Sequence, residues 1–348
     1  MGHRRQFVIT ICTLATAVGA AAAESGALAD AERDPCDTAC ENSVMEVVIV
    51  TATRRESLIQ QVPASVTAFS GKDLDEMGAL SFEDYARSVP GLSFTDNGLG
   101  GQNYVIRGIS TTVFSESRAA SSVYLDETPI TDDSFGNLSY APNPLLVDME
   151  RVEILRGPQG TLFGSGSLGG AVRIITNSPN VSNTEGFAEA SLSTTEHGGV
   201  GYGASAMINM PLSDGQGAIR GVAYYQDLDG WIDNTVLGTR NVNDNETVGV
   251  RLAGLWEFSD RLSVNGKFVY QDRQSEGSGF DQENPPWTQQ RRVQEPNSDR
   301  FALFNFDIHY RFDWGRLISA KSWLDRTNDK SLDSASAYPG PAEFVPVI

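Results

Sequence analysis

ERVEILRGPQGTLFGSGSLGGAVRIITNSP, residues 150–179, runs from an apolar segment through a glycine-dense loop into a second apolar segment and a proline stop. Gly164-Ser165-Gly166-Ser167-Leu168-Gly169 fits the spacing of a dinucleotide-binding loop letter for letter. That motif requires a helix after the last glycine, whose N-terminus holds the pyrophosphate. Here Ala171-Val172-Arg173-Ile174-Ile175-Thr176 follows, short and β-branched, which reads as a strand. A phosphate loop fails as well, because Gly170 stands where its lysine belongs. The stretch therefore reads strand, tight loop, strand. Gly157, Gly160, Gly164, Gly166, Gly169 and Gly170 are expected to serve the turn, where a Cβ would take up space.

The chain has 348 residues, 40% of them hydrophobic, enough for two domains. A formal charge of −19 argues against a nucleic-acid partner, which needs a basic face. Arg4 and Arg5 precede an uncharged run ending in alanines, so residues 1–23 read as an export signal. Ala21 and Ala23 place the cut before Glu24, and Ala27 and Ala29 form a second candidate. No later run reaches the roughly 20 apolar residues of a spanning helix. Cys12 leaves with the signal. Cys36 and Cys40, in an oxidising compartment, are expected to form a local disulfide rather than a metal site.

Residues 24–45 are acidic and alanine-rich and read as a mobile tail. Residues 46–56 then carry an isolated β-former run. Such a strand is either the edge of the following domain or a strand offered to another protein. Residues 57–180 read as an α+β domain. Ser70 with Asp73 and Ser81 with Asp84 mark two short helices, Gly78 and Pro90-Gly91 end them, and short strands follow.

Residues 181–348 change character. Val248, Val250, Leu252, Gly254, Trp256 and Phe258 share one face of a segment whose other face holds Arg251, Ala253 and Glu257. Phe304, Phe306, Ile308, Tyr310, Phe312 and Trp314 oppose Asn305, Asp307, His309, Arg311 and Asp313 in the same way. Long and short connections alternate between such segments. This is the dyad pattern of antiparallel transmembrane β-barrel strands, apolar toward lipid and polar toward the lumen. About seven such strands are legible. Bacterial single-chain barrels have an even count, and lipid tolerates no open edge. The expectation is an incomplete barrel, either a fragment or a truncated product.

At this point the residues resemble a known family. RVEILRGPQGTLFGSGSLGGAVRIITNSP resembles the central plug motif of TonB-dependent outer-membrane receptors, of the siderophore-receptor kind. EVVIVTATR, from Glu46, resembles the family's TonB box, and NYVIRGIS, SVYLDETPI and DGWIDN resemble further segments in the right order. The resemblance implies a plug inside a barrel of about 22 strands, so that roughly a third is represented here. It implies a transporter of the bacterial outer membrane rather than an enzyme, with no cofactor and no bound metal. Its extracellular ligand would be a scarce nutrient, foremost a ferric siderophore, with saccharide, haem or cobalamin as alternatives. Its partners would be TonB, with ExbB and ExbD, and outer-membrane lipid.

Residue by residue, the resemblance places TonB binding at Glu46, Val47, Val48, Ile49, Val50, Thr51 and Ala52. It has Arg107 and Arg156, beside Gly108 and Gly157, pair with glutamates of the barrel wall. Candidate ligand loops are 97–103, 111–121, 134–140 and 272–299. A receptor that signals through an extra N-terminal domain is disfavoured, since 24–45 is too short for one. A truncated chain unable to close a barrel shares every one of these motifs.

Overall fold

The computed structural model describes residues 7–10, 49–51, 57–96, 102–109, 119–131, 141–212, 215–277, 286–331 and 333. Two sheets dominate. The larger is antiparallel throughout, and its order is Phe7–Thr10, Glu185–Thr194, Val200–Leu212, Gly217–Leu228, Asn245–Ser259, Leu262–Ser275, Asn297–Arg311, Arg316–Lys330. The seven segments read from the sequence are all present and mostly run longer than their dyad pattern suggested. The eighth strand was not foreseen. Phe7–Thr10, in the stretch read as an export signal, pairs with the outer edge of Glu185–Thr194. An open edge presents unpaired amides and carbonyls, and an apolar β-forming tetrapeptide satisfies some of them. Among the described residues the sheet does not close on itself.

Alternation decides which way each side chain of this wall points. Val248, Leu252, Phe304 and Phe306 face outward and are exposed, while Thr247, Arg251, Lys267, Gln271, Phe301 and Asn305 face inward and are buried. The connection that follows Val200–Leu212 and the turns 260–261 and 312–315 leave from one end of the sheet. The connections 195–199 and 229–244 and the described residues 276–277 and 286–296 lie at the other.

The smaller sheet has the order Ser65–Ser70, Met149–Arg156, Gly170–Thr176, Ser121–Leu125, Thr128–Pro129. Gly170–Thr176 runs antiparallel to Met149–Arg156 and parallel to Ser121–Leu125. A separate hairpin joins Leu92–Asp96 to Gln102–Ile106. Helix Gly71–Glu76 starts as its sequence dictates. The Asp73 carboxylate accepts from the Ser70 amide at 2.8 Å and the Ser70 hydroxyl accepts from the Asp73 amide at 3.2 Å. Asp84 likewise accepts from the Ser81 amide at 2.9 Å at the head of helix Phe82–Ala86.

One face of this sheet packs Val152, Ile154, Val172 and Ile174 with Phe82, Tyr85 and Tyr104. Val269, Phe301 and Leu303 of the wall belong to the same cluster. The two sheets therefore share one core, and the smaller domain is seated against the inner face of the wall.

The glycine loop between Met149–Arg156 and Gly170–Thr176 contains a short helix, Gly160–Phe163, but a strand follows Gly169, so the geometry for a pyrophosphate is lacking. The Gly157 and Gly169 backbones pair at 2.8 Å, Gln159 donates to Ser167 at 2.9 Å, and the Tyr124 hydroxyl donates to the Phe163 carbonyl at 2.5 Å. Gly164, Gly166 and Gly170 have positive φ, and a Cβ on Gly170 would collide with the Leu155 carbonyl. Gly160 corrects the sequence reading: its φ is ordinary and nothing lies near the position of a Cβ.

Gly170→Ala should therefore destabilise the chain by roughly 1–3 kcal/mol or more, and Gly160→Ala should change stability by less than about 0.5 kcal/mol. Denaturant midpoints in detergent check both.

Candidate functional site

Ile49–Val50 forms a two-residue strand paired antiparallel with Ser57–Leu58, Ile49 opposite Leu58 and Val50 opposite Ser57. Val50 is fully buried among Val62, Tyr124, Leu155, Phe163 and Ala171, on the face of the small sheet opposite its main core. The next residue, Thr51, meets a group of charges. Its amide donates to Glu153 at 2.8 Å, and its hydroxyl accepts from Arg173 at 2.6 Å and from Arg151 at 3.1 Å.

Glu153 and Arg173 are cross-strand neighbours on Met149–Arg156 and Gly170–Thr176, and both side chains are almost wholly buried. Such charges persist only when paired and hydrogen-bonded. Arg173 donates to Glu153 at 2.8 Å and to Glu127 at 3.0 Å, and its guanidinium lies 5.6 Å from the centre of the Phe163 ring. Arg151 donates to Glu153 at 2.8 Å and also pairs with Glu150. Burial pulls the Arg173 guanidinium down from its ordinary value, and the Glu153 carboxylate opposes that.

A second set of contacts ties the small domain to the wall. Asp148, at φ +56, accepts from Arg220 at 2.6 and 2.9 Å and from Arg251 at 3.0 Å. Arg251 also donates to the Val147 and Asp148 carbonyls, at 3.0 and 2.8 Å. Asp126, at φ +54, accepts from Lys267 at 2.6 Å and from the Thr176 amide at 2.9 Å. The Gln271 amide group accepts from Leu145 at 2.9 Å and donates to the Asn143 carbonyl at 3.0 Å. Asn305 donates to Thr128 at 3.2 Å. Left-handed backbone suits aspartate better than most residues, so both carboxylates project from turns rather than strands.

The sequence reading had plug arginines reaching wall glutamates. Among the described residues the ion pairs run with the opposite polarity, plug carboxylate to wall cation. Arg156 donates to the Pro90 carbonyl at 2.9 Å, and its Nε is buried without a partner. The Arg107 guanidinium lies against Gly157, where a Cβ would come within 2.9 Å. Asp126, Asp148, Arg220 and Gln271 were missed. The usable signal was the row of inward cations, Arg251 and Lys267, on strands whose other face is apolar.

Of the segment assigned to TonB binding, Ile49, Val50 and Thr51 are described, whereas Glu46, Val47, Val48 and Ala52 lie outside the described residues, as do Cys36 and Cys40. The candidate loops 97–103, 111–121 and 134–140 fall largely outside them too. Within 272–299, Thr288–Gln289 pairs in parallel with Asp233–Asn234, and Trp287 stacks on His197 at 5.1 Å. Three connections at one end of the wall are thus joined.

With this geometry in view, the comparisons with known proteins are specific. Residues 59–171 match the TonB-dependent receptor plug domain. The ferripyoverdine receptor of Pseudomonas aeruginosa is 29% identical over 191 residues, 53% of this chain and 21% of that protein. The vitamin B12 transporter BtuB of Vibrio vulnificus is 31% identical over 168 residues, 44% and 26% respectively. The chain thus spans about a quarter of the length of these relatives. The crystal structure of the ferric yersiniabactin uptake receptor FyuA from Yersinia pestis superposes with a TM-score of 0.66 at 19% identity, covering 78% of this chain and 42% of that one. It shares the fold.

Burial raises the Asp126 carboxyl, but Lys267 and the Thr176 amide outweigh it, and the net position is below the ordinary carboxylate value. A depressed carboxylate contributes stability above its unfolded value, near 3.9, and loses it as pH falls through the folded value. The stability difference between the parent chain and Asp126→Asn should therefore hold from pH 7 to about 5 and shrink below about pH 4. Urea midpoints of both chains across that range check this.

Proposed function

Because residues 59–171 are a TonB-dependent receptor plug domain, we propose that the whole protein is an active transporter of the bacterial outer membrane, exported by its leader. It would import a scarce nutrient as a ferric siderophore chelate, driven by TonB with ExbB and ExbD. The observation that carries this reading is the matched domain seated against the polar inner face of a wall whose outer face is apolar. A lipid-facing strand needs that outer face, and a lumen plug needs the inner one.

The reading assigns roles to residues. Glu46 to Ala52 offer a backbone edge to TonB, since strand addition takes its affinity from main-chain hydrogen bonds. Arg107 and Arg156, each in the plug and outside the wall contacts above, are assigned to wall glutamates. The joined connections at 195–199, 229–244 and 286–296 stand on the ligand side, opposite the short turns. The siderophore ligand is supported by the ferripyoverdine and ferric yersiniabactin relatives. The B12 transporter likeness favours a second reading, cobalamin.

Val48→Pro removes one backbone donor from the segment and should weaken binding of a TonB C-terminal domain at least about tenfold. Titration of the detergent-solubilised chain measures it, and unchanged binding contradicts the assignment. For the ligand, equilibrium binding by the full-length receptor is compared between a panel of ferric siderophores and cyanocobalamin. Retention of cyanocobalamin alone selects the second reading.

A further inference from the structure

We propose that the stack of His197 on Trp287 is an acid-tightened clasp, which holds the three connections at one end of the wall together more firmly when the imidazole is protonated. These connections stand on the side assigned above to the ligand, and that placement rests on the reading given there. The clasp itself concerns only how firmly they are joined.

Trp287 is where the three connections meet. Its ring stacks on His197 of 195–199, with centres 5.1 Å apart and planes at 26°. Its carbonyl accepts from the Asp233 amide of 229–244 at 2.9 Å, beside the pairing of Asp233–Asn234 with Thr288–Gln289. Both stacked residues have left-handed backbone, His197 at φ +64 and Trp287 at φ +62. Histidine tolerates that region, whereas a bulky tryptophan is strained there. The ring contact and the Asp233 bond offset that strain.

Imidazole is the side chain whose charge changes near neutrality. An imidazolium within about 6 Å of an indole centre gains a cation–π attraction that the neutral ring lacks. An interaction made only by the charged form is present in acid and lost as pH rises through the titration. Among the described residues no carboxylate forms an ion pair with His197, so the indole is its partner. Exposed Glu196 adjoins it in the hairpin. From 229–244, Asp229 and Asp233 each accept from Asn241 at 3.1 Å, and Arg240 is exposed. Asp244, raised by burial, accepts from the Glu276 amide at 2.7 Å. From 286–296, Arg291 pairs with Glu295 at 3.4 Å and Arg292 is exposed. The hairpin also packs directly on the second connection, where a Cβ on Gly198 would strike the Gly230 carbonyl. Loss of the stack therefore loosens the connections without removing the hairpin.

Hydrogen exchange at Asp233–Asn234 and Thr288–Gln289 of the detergent-solubilised chain, corrected for its intrinsic pH dependence, tests this at about pH 7.5 and about pH 5.5. The clasp predicts protection about two- to fivefold greater at the lower pH. His197→Gln should abolish that difference. His197→Arg, whose guanidinium stays charged and stacks on aromatic faces, should give the higher protection at both. Protection in the parent that does not rise in acid, or a rise that persists in His197→Gln, overturns the clasp. If His197→Gln also lowers protection in Val200–Leu212, Trp287→Leu, which keeps the imidazole and removes the indole face, must abolish the difference, and its persistence overturns the clasp. No ligand enters the measurement, so failure of the transport reading leaves this result standing.

Discussion

Asp148 accepts hydrogen bonds from two arginines of the wall, and the seating of the plug depends on this arrangement and its neighbour at Asp126. An inward-facing cation in a filled lumen has lost water and needs a carboxylate in return. Arg220, Arg251 and Lys267 supply the cations from three different strands. Asp148 precedes Met149–Arg156, and Asp126 follows Ser121–Leu125. Thr176, which meets Lys267, ends Gly170–Thr176. The register places these three points at one end of the plug sheet. That end is tied to the wall, and the glycine loop lies at the other.

The strand Gly170–Thr176 belongs to both charged networks. Arg173 serves the Thr51 seat, and Thr176 serves the wall contact. The turn between Ser121–Leu125 and Thr128–Pro129 does the same with adjacent residues, Asp126 toward Lys267 and Glu127 toward Arg173. The charged group around Thr51 and the wall contact therefore meet at two neighbouring side chains of a single turn.

Much of this was legible in the sequence where local rules govern. The wall strands followed from alternation over ten or more residues, because one face meets lipid and the other does not. Both plug helices followed from a serine with an aspartate three positions on. The β-branched run after Gly170 was enough to exclude a nucleotide loop, because a helix is what that loop requires. The contacts that join the domains were not legible, because they link residues 72 to 177 positions apart. Asp126 and Asp148 looked like ordinary turn residues, and only the fold brings them to cations. Gly160 was grouped with its neighbours by composition, although backbone geometry needs only some of them. Phe7–Thr10 lay in an export-signal pattern that carries no information about an unpaired edge far along the chain.

The seating of the plug rests on wall cations holding it by its aspartates. A double-mutant cycle with Asp148→Asn and Arg220→Met in the detergent-solubilised chain, read by urea unfolding, tests that claim most directly. The two residues share a hydrogen-bonded ion pair, so a coupling energy of about 1–3 kcal/mol is predicted. Effects that add to within about 0.5 kcal/mol would contradict it.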